Sequence, residues 1–188
     1  MPSNTRRSRL REATSQAHAS LDHLIGPFES VADYGCYARG LHAFRIPLEA
    51  KLAAVDWPDI FAQWRPQLIG HALREDLLDL KLTPSIGADA PLSLQTIESL
   101  LGALYVLEGS ALGAKILFRR AQAIGLSENF GARHLALQSA ADNWRTFLVV
   151  FEQGSAVDFE NVVAASNAIF HAAERAFRGF QHVDRQPA

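Results

Sequence analysis

A chain of 188 residues, 48% hydrophobic and 20% charged, is long enough to bury a sizeable core and reads as one globular domain over 1–188. Its net charge of −2 leaves no electrostatic footprint for nucleic acid, and its one cysteine, Cys36, excludes an internal disulfide framework and a thiolate metal cage. No run approaches the ~20 apolar residues that span a bilayer, and Arg6, Arg7, Arg9 and Arg11 lead into no apolar signal segment, so a cytoplasmic protein with no membrane partner is expected.

Apolar spacing predicts a first helix from about Ser8 to Leu24, with Leu10, Thr14, Ala17, Leu21 and Leu24 inward and Gly26-Pro27 as its stop. His18 falls within that stripe. A second helix carries Tyr34, Tyr37, Leu41, Phe44, Leu48 and Leu52 at steps of three and four, and Pro47 should kink or break it. Val55 to Pro58 reads as a turn, Ile60 to about Pro66 as a short helix, and Leu68 to Leu80 returns to helical spacing. Thr83 to Pro91 is the clearest loop.

From a Ser93 cap, a long helix should run to about Ile124, where Gly125 ends it. Two more helices follow: one over roughly Ala132 to Glu152, closed by Gly154-Ser155, and one from an Asp158 cap to Phe180. No segment alternates with period two, so the fold class is all-α, with seven or so helices.

The long helix holds glycines at 102, 109 and 113, each costing about 1 kcal/mol against alanine in a helix interior. Spacings of seven and four set them on one face, a strip of bare backbone open to close approach. Two readings stand: tight helix–helix packing, or a flat ligand such as a tetrapyrrole. The helix should also bend at these positions. Lys115, Arg119 and Arg120 lie toward its far end, where positive charge is ordinarily favourable.

Seven histidines are present, and one on an apolar helical face is more often a core residue than a ligand. His18 stands out because Asp22 lies at i+4, within reach of one ring nitrogen. A carboxylate that accepts the Nδ1 proton leaves Nε2 for a metal. Arg11, two turns earlier, points the same way, toward any anionic group of the same ligand. Glu-x-x-His, Gly-x-Ser-x-Gly, a P-loop and a dinucleotide fingerprint are all missing from the sequence, and Glu98 and Glu108 carry no assigned role.

Leu10-Arg11-Glu12-Ala13-Thr14-Ser15-Gln16-Ala17-His18 resembles the N-terminal segment of haem oxygenases, which ends on the proximal iron ligand. Tyr105-Val106-Leu107-Glu108-Gly109-Ser110-Ala111-Leu112-Gly113-Ala114-Lys115 and the two residues after it resemble the distal helix of the bacterial branch. The segments stand in the family's order, and helix count and length agree along nearly the whole chain.

The resemblance implies a haem oxygenase-like bundle with a kinked, glycine-containing distal helix. It makes His18 the axial ligand of haem b, Asp22 its supporting carboxylate, and Arg11 and Arg120 partners of the propionates. Gly109 and Gly113 become the backbone over the iron, with Ser110 between them and Tyr105 at the haem edge. The implied reaction cleaves haem to biliverdin, CO and ferrous iron with O₂ and electrons from a ferredoxin, flavodoxin or reductase. Biliverdin then serves iron release or supplies a bilin-accepting photoreceptor, as in bacteriophytochrome-associated members.

Ser110 stands where mammalian-type members carry an aspartate, and Ala114 where they carry a second glycine; bacterial members resemble this chain at both points. The proton route and the meso carbon cleaved therefore stay open. Two rival readings are a helical histidine phosphotransfer module, although Leu21 stands where its lysine would be, and a haem carrier without turnover.

Overall fold

The computed structural model describes residues 5–84, 92–153 and 157–180. Thr5 opens α1 (Arg6–Ala13) by accepting the Ser8 amide. The expected first helix is cut at Thr14, whose hydroxyl donates to the Leu10 carbonyl at 2.8 Å while its backbone sits at φ −105°, ψ 1°. Such back-bonding competes with the helical ladder, and α2 (Ser15–Ile25) restarts beyond it. Gly26, at φ +65°, ends α2 in a conformation that glycine takes without penalty.

α3 (Val31–Ala53) starts at Ser30, which accepts the Asp33 amide. It stays helical through Pro47, where the sequence predicts a kink or a break, so no break occurs there. Leu48, Glu49 and Leu52 are buried beyond the proline, so packing on the inner face holds the last turn despite the local cost. The short helix expected to reach Pro66 is a 3-10 turn at Asp59–Phe61. α4 (Gly70–Asp79) begins where the amides of Ile69 and Gly70 meet the Glu49 carboxylate at 3.0 and 2.9 Å.

Most of the expected 83–91 loop and the Gly154-Ser155 stop lie outside the described residues. The cap of the glycine helix is Thr96 rather than Ser93. Thr96 accepts the Ser99 amide, and the Ser99 hydroxyl accepts the Thr96 amide, both at 3.1 Å. The helix runs as α5 (Ile97–Gly109) and α6 (Ala111–Ala123), interrupted at Ser110. The helix expected over 132–152 is likewise two, α7 (Arg133–Ala140) and α8 (Asn143–Gln153), because Ala141 is extended at φ −79°, ψ 146°. α9 (Phe159–Arg178) starts as expected at Asp158, whose carboxylate accepts the Glu160 and Asn161 amides.

The described residues thus hold nine α-helices and no strand. α9 is the organising element, packing against α2, α3 and α5. One core cluster joins Leu100, Leu101 and Leu104 of α5 to Phe147 and Phe151 of α8 and Ile169 of α9. A second joins Tyr34 and Tyr37 of α3 to Leu73 and Leu77 of α4, Ala114 of α6 and Leu135 of α7. By length and composition Ile97–Ala123 could cross a membrane, although no unbroken apolar run was expected to; more than half of its most apolar window is buried inside the fold, as in a core helix.

Candidate functional site

His18 sits at the rim of α2 rather than in its buried stripe. Thr14 and Ala17 are buried, whereas the His18 side chain is 61% exposed. The ring edge rests on Phe170 of α9 at 5.7 Å between centroids. Its Nδ1 lies 2.9 Å from the Asp22 carboxylate, which leaves Nε2 as the nitrogen for a ligand. A histidine held by aromatic packing and a carboxylate while its ring stays accessible is oriented without being used up.

The three glycines divide into two kinds. A Cβ at Gly102 would stand 2.6 Å from the Ala165 Cβ and 2.8 Å from the Ser166 amide of α9, so helix packing accounts for this glycine. At Gly109 a Cβ would make only ordinary contacts with Trp144, at 3.6 and 3.8 Å, and at Gly113 it would meet nothing within 4 Å. Protein packing leaves room for alanine at both, and alanine would favour the helix. Leu112 and Ile116, beside and one turn beyond Gly113, are 58% and 55% exposed. Bare backbone bordered by exposed apolar side chains suits a flat, largely apolar ligand.

Ser110 makes the break between α5 and α6. Its hydroxyl donates to the Leu107 carbonyl at 2.6 Å and accepts from the buried Gln138 amide at 3.2 Å, while the Gly113 amide reaches the Ser110 carbonyl at 3.1 Å. Side-chain back-bonding combined with glycine is a recognised cause of helix kinks. Gln138, on α7, is a brace that local sequence does not reveal.

Tyr105 of α5 meets the Thr14 side chain at the junction of α1 and α2. Burial raises the Tyr105 hydroxyl above its ordinary pKa, opposed by the Thr14 side chain and the charges of Arg7 and Arg11. His18 lies four residues after Thr14 on α2, and Gly109 four residues after Tyr105 on α5. Arg11 is exposed on α1, and the Arg7 guanidinium lies 5.6 Å from the Trp144 ring. Arg120 is exposed in the last turn of α6, seven residues or about 10 Å of helix beyond Gly113.

Glu108, given no role from sequence, is buried and accepts the Gln67 amide at 3.0 Å. Burial raises its pKa against the Gln67 hydrogen bond and the Arg45 charge. Arg45 in turn donates to Glu49 at 2.9 Å and to the Gln67 carbonyl at 3.1 Å. These contacts bind α5, one residue before Gly109, to α3 and the segment entering α4. Trp144 is the other residue that sequence reasoning missed; its contact with Gly109 depends on how α8 packs on α5.

No family model matches the chain. Haem oxygenase PigA of Pseudomonas aeruginosa is 33% identical over 174 residues, covering 88% of this chain and 86% of that protein. A crystal structure of the NO- and CO-bound haem oxygenase from Neisseria meningitidis superposes with a TM-score of 0.77 over 95% of this chain and 92% of that one. Its 22% identity speaks to the fold. Relatedness over most of both lengths, joined to this fold, makes the chain a member of the haem oxygenase family.

Proposed function

We propose that the chain is a bacterial haem oxygenase that takes haem b between the His18 face of α2 and the bare backbone of the α5–α6 kink. Membership of the family makes it an oxidoreductase acting on haem. Bound haem supplies the iron at which O₂ is activated, and the products are biliverdin, CO and ferrous iron. The observation that carries the reading is the pair Gly109 and Gly113, kept bare where the protein's own packing would accept alanine.

In this reading Nε2 of His18 ligates the iron, and Asp22 fixes the ring through Nδ1. A neutral imidazole ligand, unlike a thiolate, does not push electrons toward O–O cleavage. Arg11 and Arg120 meet the propionates, and Tyr105 borders the macrocycle. Gly109 and Gly113 would let the helix backbone come close to bound haem and leave space beside a porphyrin edge. Ser110, bonded to Gln138 and Leu107, holds the junction of α5 and α6 between the two glycines.

Electrons come from an external donor, a ferredoxin, flavodoxin or reductase, since the sequence carries no dinucleotide fingerprint. The protein works in the cytoplasm as one domain. Its biliverdin serves iron release or a bilin-accepting photoreceptor. The exposure of His18 also suits a phosphoacceptor, but that reading gives Gly109 and Gly113 no purpose.

Adding haem, O₂ and an electron donor, with catalase present to remove free peroxide, tests the reading. The Soret band should fall as a biliverdin absorption grows and CO is released. A Soret band that persists with several donors would overturn turnover and leave a haem carrier.

A further inference from the structure

The bare strip is not symmetric. At Gly113 it faces open space, while at Gly109 the Trp144 indole stands 3.6 Å from where a Cβ would be, through Cζ3, and 3.8 Å through Cη2. Three helices hold that ring. Phe147 of α8 lies 6.0 Å away between centroids, Tyr105 of α5 lies 5.6 Å away, and the Arg7 guanidinium of α1 lies 5.6 Å from the ring centre. Phe147 is itself fully buried, so the indole is anchored to the core at one end. The ring is only partly buried and so keeps surface toward its surroundings.

We propose that Trp144, steadied by Arg7, is the wall that sets the in-plane seating of haem and so selects the porphyrin edge that is oxidised. This rests on the haem oxygenase reading above. A flat macrocycle on the strip can shift toward Gly113, where nothing obstructs it, but meets the indole edge at Gly109. Packing on Phe147 and Tyr105, with Arg7 over the ring, holds the indole in place, so the ligand settles against it in one register. The same stop would limit approach at Gly109, whereas Gly113 meets nothing within 4 Å. Arg7 acts on the wall itself, steadying the indole through its cation–π contact from α1.

The test compares wild type with Trp144→Ala, Trp144→Phe and Arg7→Gln. Seating is read from the shifted haem methyl signals in the proton NMR spectrum of the ferric, cyanide-ligated complex. Selection is read from the chromatographic ratio of biliverdin isomers. Trp144→Ala should add at least one further seating and shift the isomer ratio threefold or more. Trp144→Phe should keep most of the wild-type pattern, and Arg7→Gln should shift it in the same direction as Trp144→Ala by less.

A Trp144→Ala protein that melts lower but keeps both the methyl pattern and the isomer ratio overturns the proposal, since the indole would then be core packing alone. Should Trp144→Ala not fold, Trp144→Phe and Arg7→Gln decide: wild-type seating and isomers in both overturn it, and a shift in the Arg7→Gln isomer ratio supports it. If wild type itself forms no haem complex, the haem reading fails first and the wall falls with it, an outcome recognisable before any variant is made.

Discussion

Gly102 and Gly113 belong to one run of apolar helix, and their surroundings are opposite. A Cβ on the first would press on the Ala165 Cβ at 2.6 Å and the Ser166 amide at 2.8 Å, and on the second would touch nothing within 4 Å. Gly102→Ala should therefore destabilise the apoprotein by about 1–3 kcal/mol through overpacking against backbone that cannot move cheaply. Gly113→Ala should leave stability unchanged or raise it by up to about 1 kcal/mol, as alanine favours helix. Gly113→Leu should fold and lose haem or O₂ binding. Melting curves beside haem titrations separate the cases, and a Gly113→Leu protein that melts low yet binds haem and O₂ normally would return Gly113 to packing.

His18→Ala should remove the axial nitrogen and abolish turnover, with added imidazole restoring part of it. Asp22→Asn should leave the ligand in place but weaken it, by about tenfold in haem affinity, the low end for partners of metal-bound histidines because this pair is exposed. The Fe–N stretching band of the haem complex reports both changes. If His18→Ala keeps the wild-type axial spectrum, another histidine holds the iron.

Arg11 is exposed, so its charge is screened and a propionate contact there is worth about 1 kcal/mol, or roughly fivefold in affinity. Arg11→Ala should weaken haem binding by that factor, and the effect should shrink as salt is added. Equal affinity for wild type and Arg11→Ala at low ionic strength would take Arg11 out of the site.

Much of this molecule was legible in the order of its residues. The all-α class and the His18–Asp22 pairing follow from spacings of three and four, which neighbouring turns enforce, and the Asp158 cap follows from its residue type. Helix breaks were harder. Thr14 and Ala141 end helices through back-bonding and an extended backbone, while Pro47, a stronger local signal, is overridden by the buried Leu48 and Leu52. Residues that act across helices gave no sign of themselves. Gln138 reaches Ser110 across 28 positions, and Trp144 reaches Gly109 only because α8 packs on α5.

The same holds for the buried cluster that ties α3, α4 and α7 together and governs the response to pH. Asp76 accepts the amides of Arg133 and His134 at 2.8 and 3.0 Å and faces His134 Nδ1 at 2.7 Å, while Tyr37 reaches His134 Nε2 at 3.3 Å. Burial pushes the His134 pKa down, outweighing the Asp76 carboxylate beside it, so the folded imidazole is neutral. Burial alone would raise Asp76, but its bonds to His134 and Arg133 outweigh that and hold it below the ordinary carboxylate range. In the unfolded chain His134 titrates near the usual value of about 6.5. Below that pH the unfolded state takes up a proton that the folded state refuses, so acid destabilises, by up to about 1.4 kcal/mol per pH unit. Asp76 adds its loss only under about pH 4, where the unfolded carboxylate protonates first. Between pH 7 and 5 His134 therefore contributes a loss on acidification, opposed by the buried Glu108, whose raised pKa lets the folded state take up a proton first. The apoprotein melting temperature should fall across that window, by about 2–4 °C for each kcal/mol. His134→Gln should melt lower at pH 7 yet flatten the slope, whereas Asp76→Ala should cost roughly 3–5 kcal/mol at pH 7 by stripping the partners of a buried cluster. A His134→Gln protein that keeps the full wild-type slope would move the titration to another group.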